Sequence, residues 1–282
     1  MNLTHIYSEG LPYESPALKN VSFDVKDGAF FGIIGHTGSG KSTLIQHLNG
    51  LLKPKSGSVL IDGEDITSGK KTALNARRKV GLVFQYPEYQ LFEENVYKDV
   101  AFGPLNLGLS AGETDSRVRE ALELVGLDFT EISGRSPFEL SGGQKRRAAI
   151  AGVISMKPDV LILDEPTAGL DPRTKSDMLL MIGNIHKATG NITILVSHIM
   201  SDIADYCEEI LVLNRGEVFM QGTAKEVFSR KDELNATGLD VPPVTGFMDS
   251  LKRAGLDVRT DIFDAAEAAS EIAAALAREA GR

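Results

Sequence analysis

Short apolar runs of four to six residues recur along this chain, separated by stretches whose apolar residues return every third or fourth position. Ala29-Phe-Phe-Gly-Ile-Ile34 reads as a strand buried on both faces, as do Val80 to Phe84, Val160 to Leu163 and Ile192 to Val196. Leu44, Ile45, Leu48 and the Leu51-Leu52 pair fall at helical spacing, with Gly50 late in the run and Pro54 beyond it. Val118, Ala121, Leu122 and Val125 form another helical stripe, inside a segment from Tyr86 to Ser133 punctuated by Gly103, Pro104, Gly108 and Gly112. The pattern predicts an α/β sheet domain with a helical insertion hung on it.

The flanks are less regular. Leu3 to Pro16, with Gly10, Pro12 and Pro16, reads as a loop between edge strands. Val21, Phe23 and Val25 alternate with polar residues, as in a half-buried strand. Ser58 to Gly63 predicts a short strand ending in a turn, and Asn214-Arg-Gly216 a hairpin between Ile210–Leu213 and Val218–Met220. Lys70, Lys71, Arg77, Arg78 and Lys79 suit the solvated face of a helix. Past Arg230 the composition shifts: Gly238, Pro242, Pro243 and Gly246 mark a break, and Phe247 to Ala254 suggests a short helix. Ala265 to Ala280 follows, rich in alanine and glutamate, with Ile272, Ala273 and Leu276 able to line one face of a docking, oligomer or frayed surface helix. The chain thus divides into 1–230, whose helical part covers about 86–155, and a C-terminal extension, 231–282, that offers a dimer contact.

Composition adds exclusions. The 282 residues, 42% of them apolar and 24% charged, suit a globular protein of one large domain plus an appendage. No apolar run approaches the ~18 residues of a membrane helix, and the first residues lack the basic start and apolar core of a signal peptide. Cys207 is the only cysteine, so no disulfide forms within the chain and a cytosolic setting fits. The net charge of −9 argues against broad binding of nucleic acid.

The chemistry sits where the apolar runs stop. Gly35-His36-Thr37-Gly38-Ser39-Gly40-Lys41-Ser42-Thr43 fits G-x-x-x-x-G-K-[ST], the phosphate-binding loop, between a predicted strand and a predicted helix. Successive backbone N–H groups can hold a nucleotide's phosphates, provided small residues let the backbone approach them. Lys41 adds a point charge, Ser42 a hydroxyl for Mg²⁺, and the helix opening at Ser42 its positive end. Asp164 and Glu165 follow the Val160 strand, at the carboxyl end where open α/β sheets place ligands. Asp164 suits Mg²⁺; Glu165, facing the other way along the pleat, suits orienting or deprotonating a water. His198 stands at the end of another strand, and Tyr7 or Tyr13 could stack on an adenine.

Together, Gly35–Thr43, Gln85, Leu140-Ser-Gly-Gly-Gln144, Leu163-Asp-Glu-Pro166, Ala168-Gly-Leu-Asp171 and His198 resemble, in order and approximate spacing, the motifs of ABC-type ATPase domains. The resemblance spans about Leu3 to Phe228. It implies a RecA-like phosphate-loop sheet domain with an antiparallel β subdomain and an inserted α-helical subdomain. It also implies a head-to-tail dimer with ATP and Mg²⁺ between partners, each site combining one subunit's phosphate loop with the other's Ser141, Gly142, Gly143 and Gln144. By the same resemblance Gln85 touches Mg²⁺ and the attacking water, Glu165 and His198 serve hydrolysis, Asp171 couples the two sites and Tyr7 stacks on adenine, with Tyr13 competing.

Phe84-Gln-Tyr-Pro-Glu-Tyr-Gln-Leu-Phe92 and Gly35-His-Thr-Gly are similar to the ATPase subunits of energy-coupling factor transporters, including the cobalt-uptake branch. Tyr13-Glu-Ser-Pro-Ala-Leu18 and the tail resemble the second of their two paralogous ATPases. Such importers of vitamins or transition-metal ions pair two ATPases with a transmembrane coupling subunit and a small substrate-binding membrane protein. The implied place is the cytoplasmic face of the cell membrane, with a paralogue or a second copy as ATPase partner and no nucleic acid. Glu88, Glu93 and Glu94 could then receive arginines from the coupling subunit, or form a solvated acidic face. Alternatives are the ATPase of a conventional ABC importer or exporter, and a non-transport ABC ATPase acting on DNA or ribosomes. The latter is disfavoured by a gap of only 100 residues from Lys41 to Ser141, without sustained heptads, and by a single motif set.

Overall fold

The computed structural model describes residues 1–280. Two strands open the chain, β1 (Leu3–Tyr7) and β2 (Ser15–Val21), followed by β3 (Phe30–Ile34) and α1 (Lys41–Leu48). Then come β4 (Leu60–Ile61), β5 (Glu64–Asp65), α2 (Lys70–Lys79) and β6 (Val80–Val83). The helical stretch holds α3 (Val96–Asn106), α4 (Ala111–Leu124), α5 (Phe129–Ile132) and α6 (Gly142–Ile154). Alternation resumes with β7 (Val160–Asp164), α7 (Pro172–Thr189), β8 (Ile192–Val196), α8 (Met200–Tyr206), β9 (Glu209–Asn214) and β10 (Glu217–Thr223). The tail carries α9 (Ala224–Ser229), α10 (Lys231–Ala236), α11 (Pro243–Arg253) and α12 (Ala265–Ala280).

A six-stranded sheet in the order β10-β9-β3-β8-β7-β6 forms the frame, parallel except for β10. Its parallel strands are nearly continuous apolar sequence because helices cover both faces: every residue of β3 and β6 is buried. One apolar core joins the sheet to the helical segment through Phe30, Val83, Val100, Leu122 and Ile150. A second core lies on the other face, where Phe31, Leu44, Ile45 and Leu213 meet Leu3 and Leu18 of the antiparallel β1–β2 pair. The tail packs a small cluster of its own from Met248, Val258, Ile262, Ala268 and Ala275.

Three expectations are corrected here. The opening segment is not all loop, for Leu3–Tyr7 is a strand paired with β2 through register shifts near His5, and only the residues between Tyr7 and Ser15 connect the two. The alternation of Val21, Phe23 and Val25 is real in burial, but β2 ends at Val21. In α12, Ala268 and Ala275 are buried and Ile272 packs against them, while Leu276 is half exposed. The inward stripe of α12 is therefore Ala268, Ile272 and Ala275.

Because β3, β6, β7 and β8 run the same way, their carboxyl ends gather the segments Gly35–Gly40, Phe84-Gln85, Asp164-Glu165 and Ser197-His198 at one edge. There the main chains interlock: the Glu165 N–H donates to the Val196 carbonyl at 2.9 Å, and the Ser197 N–H to that of Ile33 at 3.4 Å.

Candidate functional site

The loop after β3 is held open by close backbone contacts. A Cβ on Gly35 would lie 2.4 Å from Ser39 Oγ and 2.5 Å from the Leu213 carbonyl, so only glycine fits. Gly40, at φ +103°, caps α1 and would press a Cβ to 2.6 Å from the Ala17 carbonyl. Gly38 also has positive φ, and Ser39 is fully buried with an unpartnered Oγ. His36 bridges Thr37 and Asn214, its Nδ1–H donating to the Thr37 carbonyl at 2.7 Å and its Nε2 lying 3.1 Å from Asn214 Oδ1. Lys41 folds back, its Nζ donating to the carbonyls of Gly35 at 2.6 Å and His36 at 3.2 Å. These are neutral acceptors for a half-buried cation. Burial lowers the Lys41 pKa, with Glu165 and Asp164 pulling it back up. A cradle of N–H groups, an orphan hydroxyl and a poorly matched ammonium fit a bound phosphate chain.

Asp164 ends β7 and is buried. Burial and the neighbouring Glu165 push its carboxyl up to about 6, against the pull of Lys41 and a hydrogen bond from Ser42. A carboxylate, a hydroxyl and the amide of Gln85, which follows β6 at the same edge of the sheet, would make a hard oxygen set. Such a set suits Mg²⁺, which keeps waters and phosphate oxygens as further ligands. Among the described residues no group of three or more His, Cys, Asp or Glu gathers as a metal cage.

Glu165 lies past the strand at φ +49°, in the left-handed region. The pleat therefore does not aim it, contrary to the sequence reading; the turn does. Its carboxylate meets His198 Nδ1, and the His198 ring is otherwise largely exposed. The structure thus pairs two residues that stand 33 apart in sequence.

Tyr7 reaches the other side of the phosphate loop, its Oη 3.2 Å from Thr43 Oγ1 on α1, with its ring partly exposed. Tyr13 is 70% exposed. Tyr7 is the tyrosine fixed beside the loop. His47, one turn past Thr43, is buried against His5, and burial lowers its pKa to about 4.

Ser141 to Gln144, the signature segment, form the start of α6 and close on themselves. Ser141 Oγ accepts from the Gln144 N–H at 3.3 Å, and Gln144 Oε1 from the Ser141 N–H at 3.0 Å, a capping box with Gly142 and Gly143 between. Asp171 caps α7 by accepting from the N–H groups of Arg173 and Thr174 and from the Thr174 hydroxyl, bonds that lower its pKa.

Sequence reasoning missed Arg146. Only 3% exposed, it makes a two-pronged ion pair with Glu88 (Nε to Oε2 3.0 Å, Nη2 to Oε1 2.8 Å) and donates to the carbonyls of Pro166 and Ala168. Burial raises the Glu88 pKa, but the Arg146 hydrogen bonds and charge, together with a backbone N–H, outweigh it and the net shift is downward. Arg146 therefore ties the signature helix to the segment after Gln85 and to the loop after Glu165. Glu88 already has its arginine, which corrects the expectation that it awaits one from another subunit. Glu94 pairs with Lys98 at the surface. Glu93 lines a shallow groove with Tyr97, Lys98, Phe102 and Leu105, beside the exposed Tyr89 and Phe92. A cavity of about 930 Å³ opens instead at the amino ends of the strands among Gly28, Val160 and Ile192, and no motif residue lines it.

Comparison with known proteins gives a consistent result. Residues 18–168 match the family model described as ABC transporter. An energy-coupling factor transporter ATP-binding protein EcfA2 of Caldanaerobacter subterraneus subsp. tengcongensis is 54% identical, over 96% of this chain and 94% of that protein. The protein of that name from Clostridioides difficile is 53% identical over the same shares. Among solved structures, cbiO1 from Clostridium perfringens, described as part of the ABC transporter complex cbiONQ, superposes with a TM-score of 0.74 at 40% identity, covering 88% of this chain and 96% of that one. A dimeric ATP-binding cassette in a post-hydrolysis state, bound to ADP and Pi, superposes with a TM-score of 0.69 at 30% identity, covering 79% and 97%.

Proposed function

The chain belongs to the ABC transporter family as the ATPase subunit of an energy-coupling factor transporter, and on that premise we propose how its residues divide the work. The carrying observation is the convergence of the phosphate loop, Asp164, Glu165 and His198 at one edge of the sheet.

In this reading Gly35 to Thr43 hold the β- and γ-phosphates of ATP through backbone N–H groups. Lys41 leaves its carbonyl acceptors for phosphate oxygens, and Tyr7 stacks on the adenine. Ser42, Asp164 and Gln85 hold Mg²⁺, which when bound neutralises charge on the phosphates. Glu165 orients the attacking water and takes up its proton, and His198 steadies that carboxylate and meets the γ-phosphate. The N–H groups of Gly142 and Gly143 face the γ-phosphate of a partner's site, with Asp171 linking the two sites of a head-to-tail dimer. ATP closes that dimer and hydrolysis reopens it.

The unit 1–230 carries this cycle, and 231–282 adds a contact between ATPase partners. The partner ATPase is a paralogue or a second copy. Among the described residues no helix is long and apolar enough to cross a membrane. In this reading the groove at Glu93, Phe102 and Leu105 receives a helix of the transmembrane coupling subunit, its aromatic floor taking apolar side chains and Glu93 a basic one. The chain then works at the cytoplasmic face of the membrane, powering uptake of a vitamin or transition-metal ion captured by a small membrane protein.

Affinity purification of the tagged chain from detergent-solubilised membranes tests this. Recovery of a second ATPase, a membrane coupling protein and several small membrane proteins is expected. One dedicated permease with a solute-binding protein would point to a conventional importer, and no membrane protein at all would contradict the transport reading.

A further inference from the structure

Two side chains outside the nucleotide motifs join the three loops that carry Glu165, Asp171 and His198. Asp202, in the first turn of α8, is only 3% exposed and pairs with Lys175 Nζ at 2.6 Å. Lys175 lies in the first turn of α7, where its N–H donates to the Asp171 carbonyl at 2.9 Å. The other Asp202 oxygen accepts from the Thr167 hydroxyl at 3.5 Å. Thr167 stands two residues after Glu165, and the intervening turn is closed by the Ala168 N–H on the Glu165 carbonyl at 3.1 Å. Asp202 itself stands four residues after His198, on the helix that follows it.

An ion pair with one buried partner is a poor way to gain stability, because taking the Asp202 charge out of water costs about as much as its attraction to the half-buried Lys175 returns. Its value lies in fixed geometry, since a broken pair leaves a charge buried and unmatched. Here the geometry joins elements far apart in sequence but adjacent at the site. Thr167 follows Glu165, Lys175 follows Asp171 and Asp202 follows His198.

We propose that Lys175 and Asp202 are positioning residues that lock the Glu165, Asp171 and His198 loops into one body. A contact made by Asp171 or His198 on closure then reaches Glu165 without slack. The proposal rests on hydrolysis at Glu165, as put forward above. It expects that loosening the lock lowers the rate of the chemical step more than the affinity for ATP.

The test uses the assembled transporter, with ATP turnover, ATP binding and thermal midpoint measured for each variant. Asp202→Asn is expected to lower kcat about tenfold or more, with KM for ATP within about twofold of the parent. Asp202→Glu, which keeps the carboxylate, restores part of that loss. The apolar pair Lys175→Met/Asp202→Leu regains the melting temperature but not kcat. An unchanged kcat in Asp202→Asn, or a kcat that returns together with stability in the apolar pair, overturns the proposal. Glu165→Gln is run alongside. If it abolishes turnover while Asp202→Asn keeps it, the positioning role alone falls. If Glu165→Gln turns over normally, the hydrolysis reading falls and takes this proposal with it.

Discussion

The phosphate-loop end of the site and the signature end are built from opposite materials. Around Lys41 the chain concentrates unsatisfied chemistry: a half-buried ammonium on two carbonyls, an orphan Ser39 hydroxyl, a carboxyl at Asp164 pushed up to about 6, and Glu165 in a left-handed turn. Around Ser141 the two polar side chains are already matched to each other's backbone by a capping box, and the first-turn N–H groups of Gly142 and Gly143 lie between them. The first region carries tension that a ligand relieves. The second is a neutral, pre-formed donor surface on the outside of the molecule. This contrast is what a composite site calls for: one surface waits for charge, and the other is presented to a neighbour.

Ser141→Arg breaks the contrast most sharply, because it places a long cation where a partner's γ-phosphate would meet backbone N–H groups. On this account turnover in the assembled pair falls about a thousandfold. ATP affinity of the separate chain, followed by fluorescent nucleotide titration, stays within about threefold, since its own loop is untouched. Equal loss of both would place the signature within the chain's own site.

Arg146→Ala probes the strut between the two regions. It strands Glu88 in a mostly buried setting and removes donors to Pro166 and Ala168, so denaturant unfolding should show a loss of about 3 kcal/mol. Arg146→Lys should recover little, because an ammonium cannot reproduce the forked contact. Full recovery would reduce Arg146 to a simple charge.

The smallest effect carries an unusual sign. With its carboxyl up to about 6 in the folded chain and an ordinary 3.8 when unfolded, Asp164 binds its proton more tightly folded than unfolded. Its contribution is therefore full below pH 3.8 and is lost as the pH rises through about 6. Asp164→Asn should then raise the nucleotide-free chain's stability at pH 7 by on the order of 2 kcal/mol, and flatten the pH dependence between 4 and 6. The same variant should lose the Mg²⁺-dependent part of ATP binding. A variant that is less stable than the parent at pH 7 would mean that Asp164 is held ionised by its neighbours.

What could be read from the sequence follows from which interactions are local. The buried strands at Phe30, Val80, Val160 and Ile192 are continuous apolar runs, and the phosphate loop is contiguous, so both were legible. Glu165 and His198 were legible as residues but not as a pair, since a parallel sheet joins them across 33 positions. Arg146 and Glu88 are separated by 58, and nothing in either local sequence marks the other. β1 was missed because its burial does not alternate and its pairing with β2 is irregular. Phe23 and Val25 misled in the opposite sense, keeping a strand's alternation past the end of β2. In α12 the eye follows Leu276, whereas the buried positions are Ala268 and Ala275, with Ile272 beside them.

In the proposed composite site, ATP joins the charged half of one chain to the neutral half of another. Sedimentation of Glu165→Gln with its ATPase partner, with and without ATP and Mg²⁺, tests it most directly. The account expects slow-dissociating dimers with ATP and Mg²⁺, separate chains without them, and no dimer when Ser141→Arg is added to both partners. Chains that stay separate under ATP, or that dimerise equally well with Ser141→Arg in place, would contradict it.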